Sequence, residues 1–292
     1  MNAALKSRRT RLALAVLGLA VLSGCASINV EQNMARVNDE VAGFAGDQLT
    51  LARDDAQRQA RAQAAAQLLS APVGQKEAVQ LALANSPALQ ALLAQGWADS
   101  SDAAQVGRIS NPVFSFERLV TGDELELGRA LSFGLLDVLT LPARQGVASR
   151  RIEQAQLRLT SDVVDQVTRV RQAWVRAVAS QQTLQYARQV FDAAEASSDL
   201  ARRMQSAGNF NRLTRAREQA FYADAATRLA SANHQATASR EELVRLLGLS
   251  ESQAQMLKLP QRLPDLPKQA LEPQAVGSMA TRARLDIRLA QS

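Results

Sequence analysis

The sequence predicts a mainly α protein with one β-hairpin, in which two short strands precede a long coiled-coil-like helical hairpin. Three observations carry that expectation. No glycine or proline interrupts residues 147 to 207. Residues 113 to 135 instead alternate apolar and polar side chains about a polar turn. Aromatic residues make up only 4% of the chain, and long stretches are built from Ala, Gln, Arg, Leu and Glu. That mixture favours long helices meeting through small side chains over one thick core.

The amino terminus reads as an address. Lys6, Arg8, Arg9 and Arg11 precede an apolar run from Leu12 to Leu22, followed by Ser23, Gly24 and Cys25. A basic start, a short apolar stretch and small residues at the cut define a secretory signal over residues 1–24. The run is about half the ~20 residues that a spanning helix needs. Cys25 is the only cysteine, so no intramolecular disulfide forms. Leu22-Ser23-Gly24-Cys25 resembles a bacterial lipobox, which implies acylation of Cys25. Ala26 in the next position favours sorting to the outer membrane by the same resemblance. The covalent lipid on Cys25 is then the only non-protein group expected, and no cofactor or metal is.

Residues 25–74 are polar and read as a lipidated, helical or partly ordered leader. From Gln75 the pattern changes. Ala78, Val79, Leu81, Ala82, Leu89, Leu92 and Leu93 recur at helical spacing around Asn85-Ser86-Pro87. Proline is tolerated in a first helical turn, with Asn85 or Ser86 as the cap, so a helix is expected from about Pro87 to Gly107. It stops before Asn111-Pro112.

The hairpin is expected over about 113–139. Phe114 and Phe116 alternate with Ser115 and Glu117. Beyond the turn Thr121-Gly122-Asp123-Glu124, Leu125, Leu127, Leu131, Phe133 and Leu135 are apolar at odd positions, with Arg129 the exception. Such two-residue alternation is the pattern of a transmembrane β-barrel strand, with one face in lipid. Phe114, Phe116, Leu131 and Phe133 are the lipid-facing candidates.

Helical periodicity resumes after Leu141-Pro142. Ile152, Ala155, Leu159, Val163, Val167, Val170 and Trp174 step by three and four, as in a coiled-coil seam. The helices are expected over about 142–207 and 210–247, the first spanning about 90 Å at 1.5 Å per residue. They break at Ala207-Gly208-Asn209, and the second ends at Gly248. Pro260, Pro264, Pro267 and Pro273 mark a linker over 258–273. Residues 280–291 then match 84–95 at an offset of 196, which suggests that a second repeat begins near 274.

This order of elements resembles the TolC-like outer-membrane factor family from about Gln75 onward, with the lipobox as further support. The motifs that carry the likeness are Asn85-Ser86-Pro87, Gly107-Arg108-Ile109-Ser110-Asn111-Pro112, the hairpin, Ser206-Ala207-Gly208-Asn209 and Arg245-Leu246-Leu247-Gly248. The resemblance implies half of a protomer: residues 75–257 as the first repeat, and 274–292 as the start of a second that a longer reading frame would complete. It further implies a homotrimer closing a twelve-stranded barrel in outer-membrane lipid, with helices reaching into the periplasm. Ser206, Ala207, Gly208 and Asn209 would form the tip that meets a periplasmic adaptor protein, itself coupled to an inner-membrane pump. Such a protein is a passive efflux channel. The alternative is a periplasmic coiled-coil lipoprotein acting as a spacer or adaptor, whose hairpin would be soluble.

Enzymatic chemistry finds no purchase. His234 is the single histidine, and no Ser/His/Asp set, GxGxxG or P-loop occurs. Asp162 and Asp165 read as solvated partners of nearby arginines, and Trp174 and Tyr186 as packing residues. The net charge of +6 is interleaved with carboxylates, without the basic face or aromatic motif of a nucleic-acid binder.

Overall fold

A computed structural model describes residues 30–122, 124–132, 134–266, 268 and 284–291. The signal 1–24, Cys25, Asp123, Phe133 and most of 267–283 lie outside the described residues. The fold is mainly helical with one two-stranded antiparallel hairpin. In chain order its elements are α1 (Val30–Ala45), α2 (Asp55–Leu68), α3 (Gln75–Asn85), α4 (Pro87–Gln105), β1 (Val113–Thr121), β2 (Glu124–Ser132), α5 (Leu135–Leu139), α6 (Leu141–Ser206), α7 (Arg212–Leu247), α8 (Glu251–Met256) and α9 (Leu285–Gln291). Two compact units result, one built on 96–156 and the other on 36–95 with 157–291.

The second unit holds the larger core. Val37, Val41, Leu69, Val73, Val79, Leu81, Leu89, Leu93, Val163, Val170, Leu243 and Leu247 are all fully buried, each worth roughly 1.5–3 kcal/mol of apolar burial. The stretch read as a polar leader is therefore folded from α1 onward. Its apolar residues are sparse, but Val37, Val41 and Ala45 recur on one face of α1, and Leu69 and Val73 follow α2. Val73 is fastened twice, its N–H donating to the Lys258 carbonyl at 2.8 Å and its carbonyl accepting from the Trp174 indole at 2.9 Å. The Arg171 guanidinium lies 4.2 Å above the Phe44 ring.

The seam of α6 falls where its periodicity places it, with Leu159, Val163, Val167, Val170 and Trp174 buried. Further along, Leu184 packs with Ala232 and Ala236 of α7, small residues that allow close helix approach. Tyr186, read as a packing residue, stands exposed. Neither Asn85 nor Ser86 caps α4 with its side chain. The Asn85 amide points to the end of α7, and the buried Ser86 hydroxyl has no hydrogen-bond partner among the described residues.

In the first unit, Gly107 lies against Ala148; a Cβ on Gly107 would meet that of Ala148 at 3.0 Å. The hairpin is shorter than its alternation suggests. β2 ends at Ser132, and Leu135 opens α5 instead of continuing the strand. The reason lies in the contacts of the following turn: Asp137 accepts the Ser110 hydroxyl and the Arg144 guanidinium, fastening a helical turn.

Candidate functional site

The hairpin register sorts its side chains onto two faces. Directly opposed residues share a face, and the pairs Phe114↔Leu131, Phe116↔Arg129, Arg118↔Leu127 and Val120↔Leu125 make one of them. The other carries Ser115↔Ala130, Glu117↔Gly128, Leu119↔Glu126 and Thr121↔Glu124, closing on Val113↔Ser132. Three of the four residues read as lipid-facing, Phe114, Phe116 and Leu131, thus lie together on the apolar face; Phe133 lies outside the described residues. The turn is tighter than four residues, with Gly122 at φ 64 between the closing pair Thr121 and Glu124, a conformation that glycine adopts without cost.

Among the described residues nothing covers either face. Phe114 is 66% exposed, Phe116 59%, Val120 61%, Leu125 54% and Leu131 64%. Among the described residues the sheet has two strands, and the outer edge of each has no strand beside it. Arg118 joins Arg129 on the apolar face, and neither forms an ion pair with a described residue. Sequence reading noticed only Arg129, although the parity of β1 places Arg118 with Phe114 and Phe116.

At the foot of the hairpin a second arrangement escaped the sequence. Arg144 donates to Asp137 at 3.2 Å, to the Val106 carbonyl at 3.0 Å and to the Arg108 carbonyl at 2.7 Å. Asp137 is thereby fixed and half-buried, while Leu135, Leu136, Val138 and Leu139 of α5 are all exposed. Nothing in the sequence pattern announces the arrangement, because the Val106 and Arg108 carbonyls and the Ser110 hydroxyl come from the segment before β1.

In the second unit α6 ends at Ser206 and the break falls at Gly208. Gly208 has φ 80; its N–H donates to the Gln205 carbonyl at 3.0 Å, and that of Asn209 to Met204 at 2.9 Å. These two bonds form the Schellman motif that satisfies terminal carbonyls. Asn211 caps α7 by accepting from the Thr214 N–H at 2.8 Å. Ser206, Ala207, Gly208 and Asn209 are all exposed. Between α6 and α7 a groove of about 600 Å³ is lined by Asp192, Glu195, Asp199, Arg202, Arg215 and Tyr222. Its charges are partly neutralised internally, as Asp199 pairs with Arg202 and Arg203.

Among the described residues no helix is long and apolar enough to cross a membrane, which bears on helices and not on strands. No protein-family model matches the chain, and no curated protein does. A solved structure does: a membrane protein from Pseudomonas aeruginosa, at a TM-score of 0.54 and 20% identity over 78% of this chain and 54% of that one. The chain shares the fold of a membrane protein. CusC, solved for the conformational changes accompanying its folding and transmembrane channel formation, gives a TM-score of 0.45 at 16% identity over 72% of this chain and 49% of its own. That likeness is too slight to carry an argument. The chain spans about half the length of either structure.

Proposed function

We propose that this chain is the outer-membrane channel component of a tripartite efflux system, a passive exit for small molecules or ions driven by an inner-membrane pump. The observation that supports this best is the hairpin with neither face covered among the described residues. An isolated two-stranded hairpin is marginal in water, and the spacer reading needs one face buried on the rest of the protein. A closed barrel in lipid answers both needs, since lipid covers the apolar face and neighbouring strands pair the edges. Each strand has nine residues, within reach of the ~9–11 that a tilted strand uses to cross the hydrocarbon.

In this reading the hairpin supplies two strands of a barrel that a homotrimer completes, with further strands from the second repeat expected by resemblance. Acylated Cys25 adds an anchor in the same membrane. Ser206 to Asn209 meet the periplasmic adaptor that links the channel to its pump. The protein makes and breaks no bond, so it needs no catalytic residue.

Two adjacent residues of β2 test the barrel. Leu131→Arg puts a charge into lipid, costing about 2–4 kcal/mol near mid-bilayer and less toward the interface. Ala130→Arg puts the same charge on the polar face. Recovery of full-length protein in the outer membrane should fall for Leu131→Arg and hold for Ala130→Arg. Equal recovery of both would overturn the barrel in favour of a spacer.

A further inference from the structure

The proposed barrel leaves α5 unexplained. Four of its five residues, Leu135, Leu136, Val138 and Leu139, are exposed and apolar, at 65%, 72%, 42% and 70%. The fifth, Asp137, is half-buried and held by Ser110 and Arg144. Arg144 in turn grips the Val106 and Arg108 carbonyls, so the clamp ties α5 to the segment entering β1. The apolar side of α5 thus faces outward by construction.

Charge is distributed unevenly about it. From Val138 to Ile152 there is no carboxylate, while Arg150 and Arg151 fall in that stretch beside the paired Arg144, and Arg108 lies on the entering segment. Toward the turn β2 carries Glu124 and Glu126. An apolar turn with arginines beside it matches the boundary between acyl chains and anionic head groups.

We propose that α5 is an interfacial helix that seats the foot of the hairpin in the head-group layer of a leaflet containing acidic phospholipid. The proposal rests on the barrel reading. If nine-residue strands use up the hydrocarbon thickness, a helix beginning three residues after Ser132 has nowhere to lie but the interface. Asp137 and Arg144 act as positioning residues, and Leu136 and Leu139 make the contact. The occupant is lipid, and not a second copy of the chain, because the flanking residues carry the charge opposite to acidic head groups.

The test places an environment-sensitive fluorescent amino acid at Leu136, and in a separate protein at Leu127. Each full-length chain is assembled into vesicles of phosphatidylethanolamine and phosphatidylglycerol. Spin-labelled lipids then quench from the head group or from the chain end. Leu136 should be quenched more strongly by the head-group label, and Leu127 more strongly by the chain-end label. Adding Asp137→Ala should weaken the Leu136 signal and leave that of Leu127 in place. If Leu127 is quenched and Leu136 by neither label, the interfacial helix is wrong and the barrel stands. If Leu127 is quenched by neither, the barrel reading fails and this inference falls with it.

Discussion

The side-chain amide of Asn85 donates to the carbonyls of Leu247 and Gly248, at 3.2 and 2.7 Å, across more than 160 positions of sequence. Gln253 completes the clasp, its amide donating to the Asn85 carbonyl oxygen at 3.3 Å. The end of α3 is thereby fixed to the end of α7. Gly248 permits this approach, since a Cβ there would meet Pro87 Cδ at 2.5 Å and Ser86 Cα at 2.8 Å. Its φ of 67 adds a conformational demand.

Gly248→Ala and Gly208→Ala should therefore differ, although both glycines are left-handed and end long helices. Gly208 has open space where its Cβ would be, so alanine costs only the backbone term of about 1–2 kcal/mol. At Gly248 overpacking adds roughly 1–3 kcal/mol. Denaturant unfolding of the two variants should show the larger loss at Gly248. Equal losses would mean that Asn85-Ser86-Pro87 yields, and that the clasp is looser than its distances indicate.

The legible parts of the fold are those with local causes. The α6 seam, the break at Gly208 and the strand alternation follow from periodicity and from glycine chemistry, and each falls within a few residues of its expected place. The clasp, the clamp that ties Asp137 and Arg144 to Val106, Arg108 and Ser110, and the burial of Val37 and Val41 depend on residues distant in sequence, so no spacing rule reveals them. Asn85-Ser86-Pro87 and Leu247-Gly248 were visible as separate motifs, but that they touch was not. Leu135 was misread because its odd position continued the alternation by coincidence after the strand had ended.

The two arginines on the apolar face give a prediction with an unusual sign. Long cationic side chains lay their stems on apolar surface and carry the charge toward water. Near the interface an arginine costs about 0–1 kcal/mol, and at mid-bilayer about 2–4. By the register Arg118 lies three residues from the turn at Thr121 and Arg129 three from the foot at Ser132, so the two are equally deep. Arg129→Leu and Arg118→Leu should each raise the stability of the assembled protein in membranes, and to similar extents. Thermal or urea unfolding in vesicles measures both. Destabilisation by Arg129→Leu would show that the guanidinium has an anionic partner in the assembly.

Acid should loosen α9. Arg288 donates to both Glu40 carboxylate oxygens at 2.7 and 2.8 Å, and this bond, then the positive charge of the guanidinium, holds the Glu40 carboxyl below its ordinary value of 4.5. A lowered value means that the pair contributes fully above the unfolded carboxyl's range. Its contribution is lost as pH falls through the lower, folded value. The pair is partly exposed, and such bridges contribute about 0.2–1 kcal/mol, so the effect is at most about fivefold. Amide exchange in residues 285–291, corrected for intrinsic rates, should quicken by no more than that on acidification below pH 4.5. Glu40→Gln should remove the pH dependence; if it persists there, another carboxylate governs the segment.

The helix tip separates a structural role from a binding role. Ser206, Ala207, Gly208 and Asn209 are exposed, and among them the Asn209 backbone N–H, not its side chain, closes the turn. Asn209→Trp should consequently change folding stability by no more than about 0.5 kcal/mol, as for an ordinary surface substitution. If this turn docks into a periplasmic adaptor, the same bulk should block the fit. A photo-crosslinking amino acid at Asn209, in cells making the full-length protein, should form an adduct identified by mass spectrometry as an adaptor. The same residue at Arg228 on the exposed flank of α7, already paired with Asp224 at 2.7 Å, should form less. An adaptor adduct at Arg228 with none at Asn209 would move the docking surface from the tip to the helix flank, while leaving the barrel argument untouched.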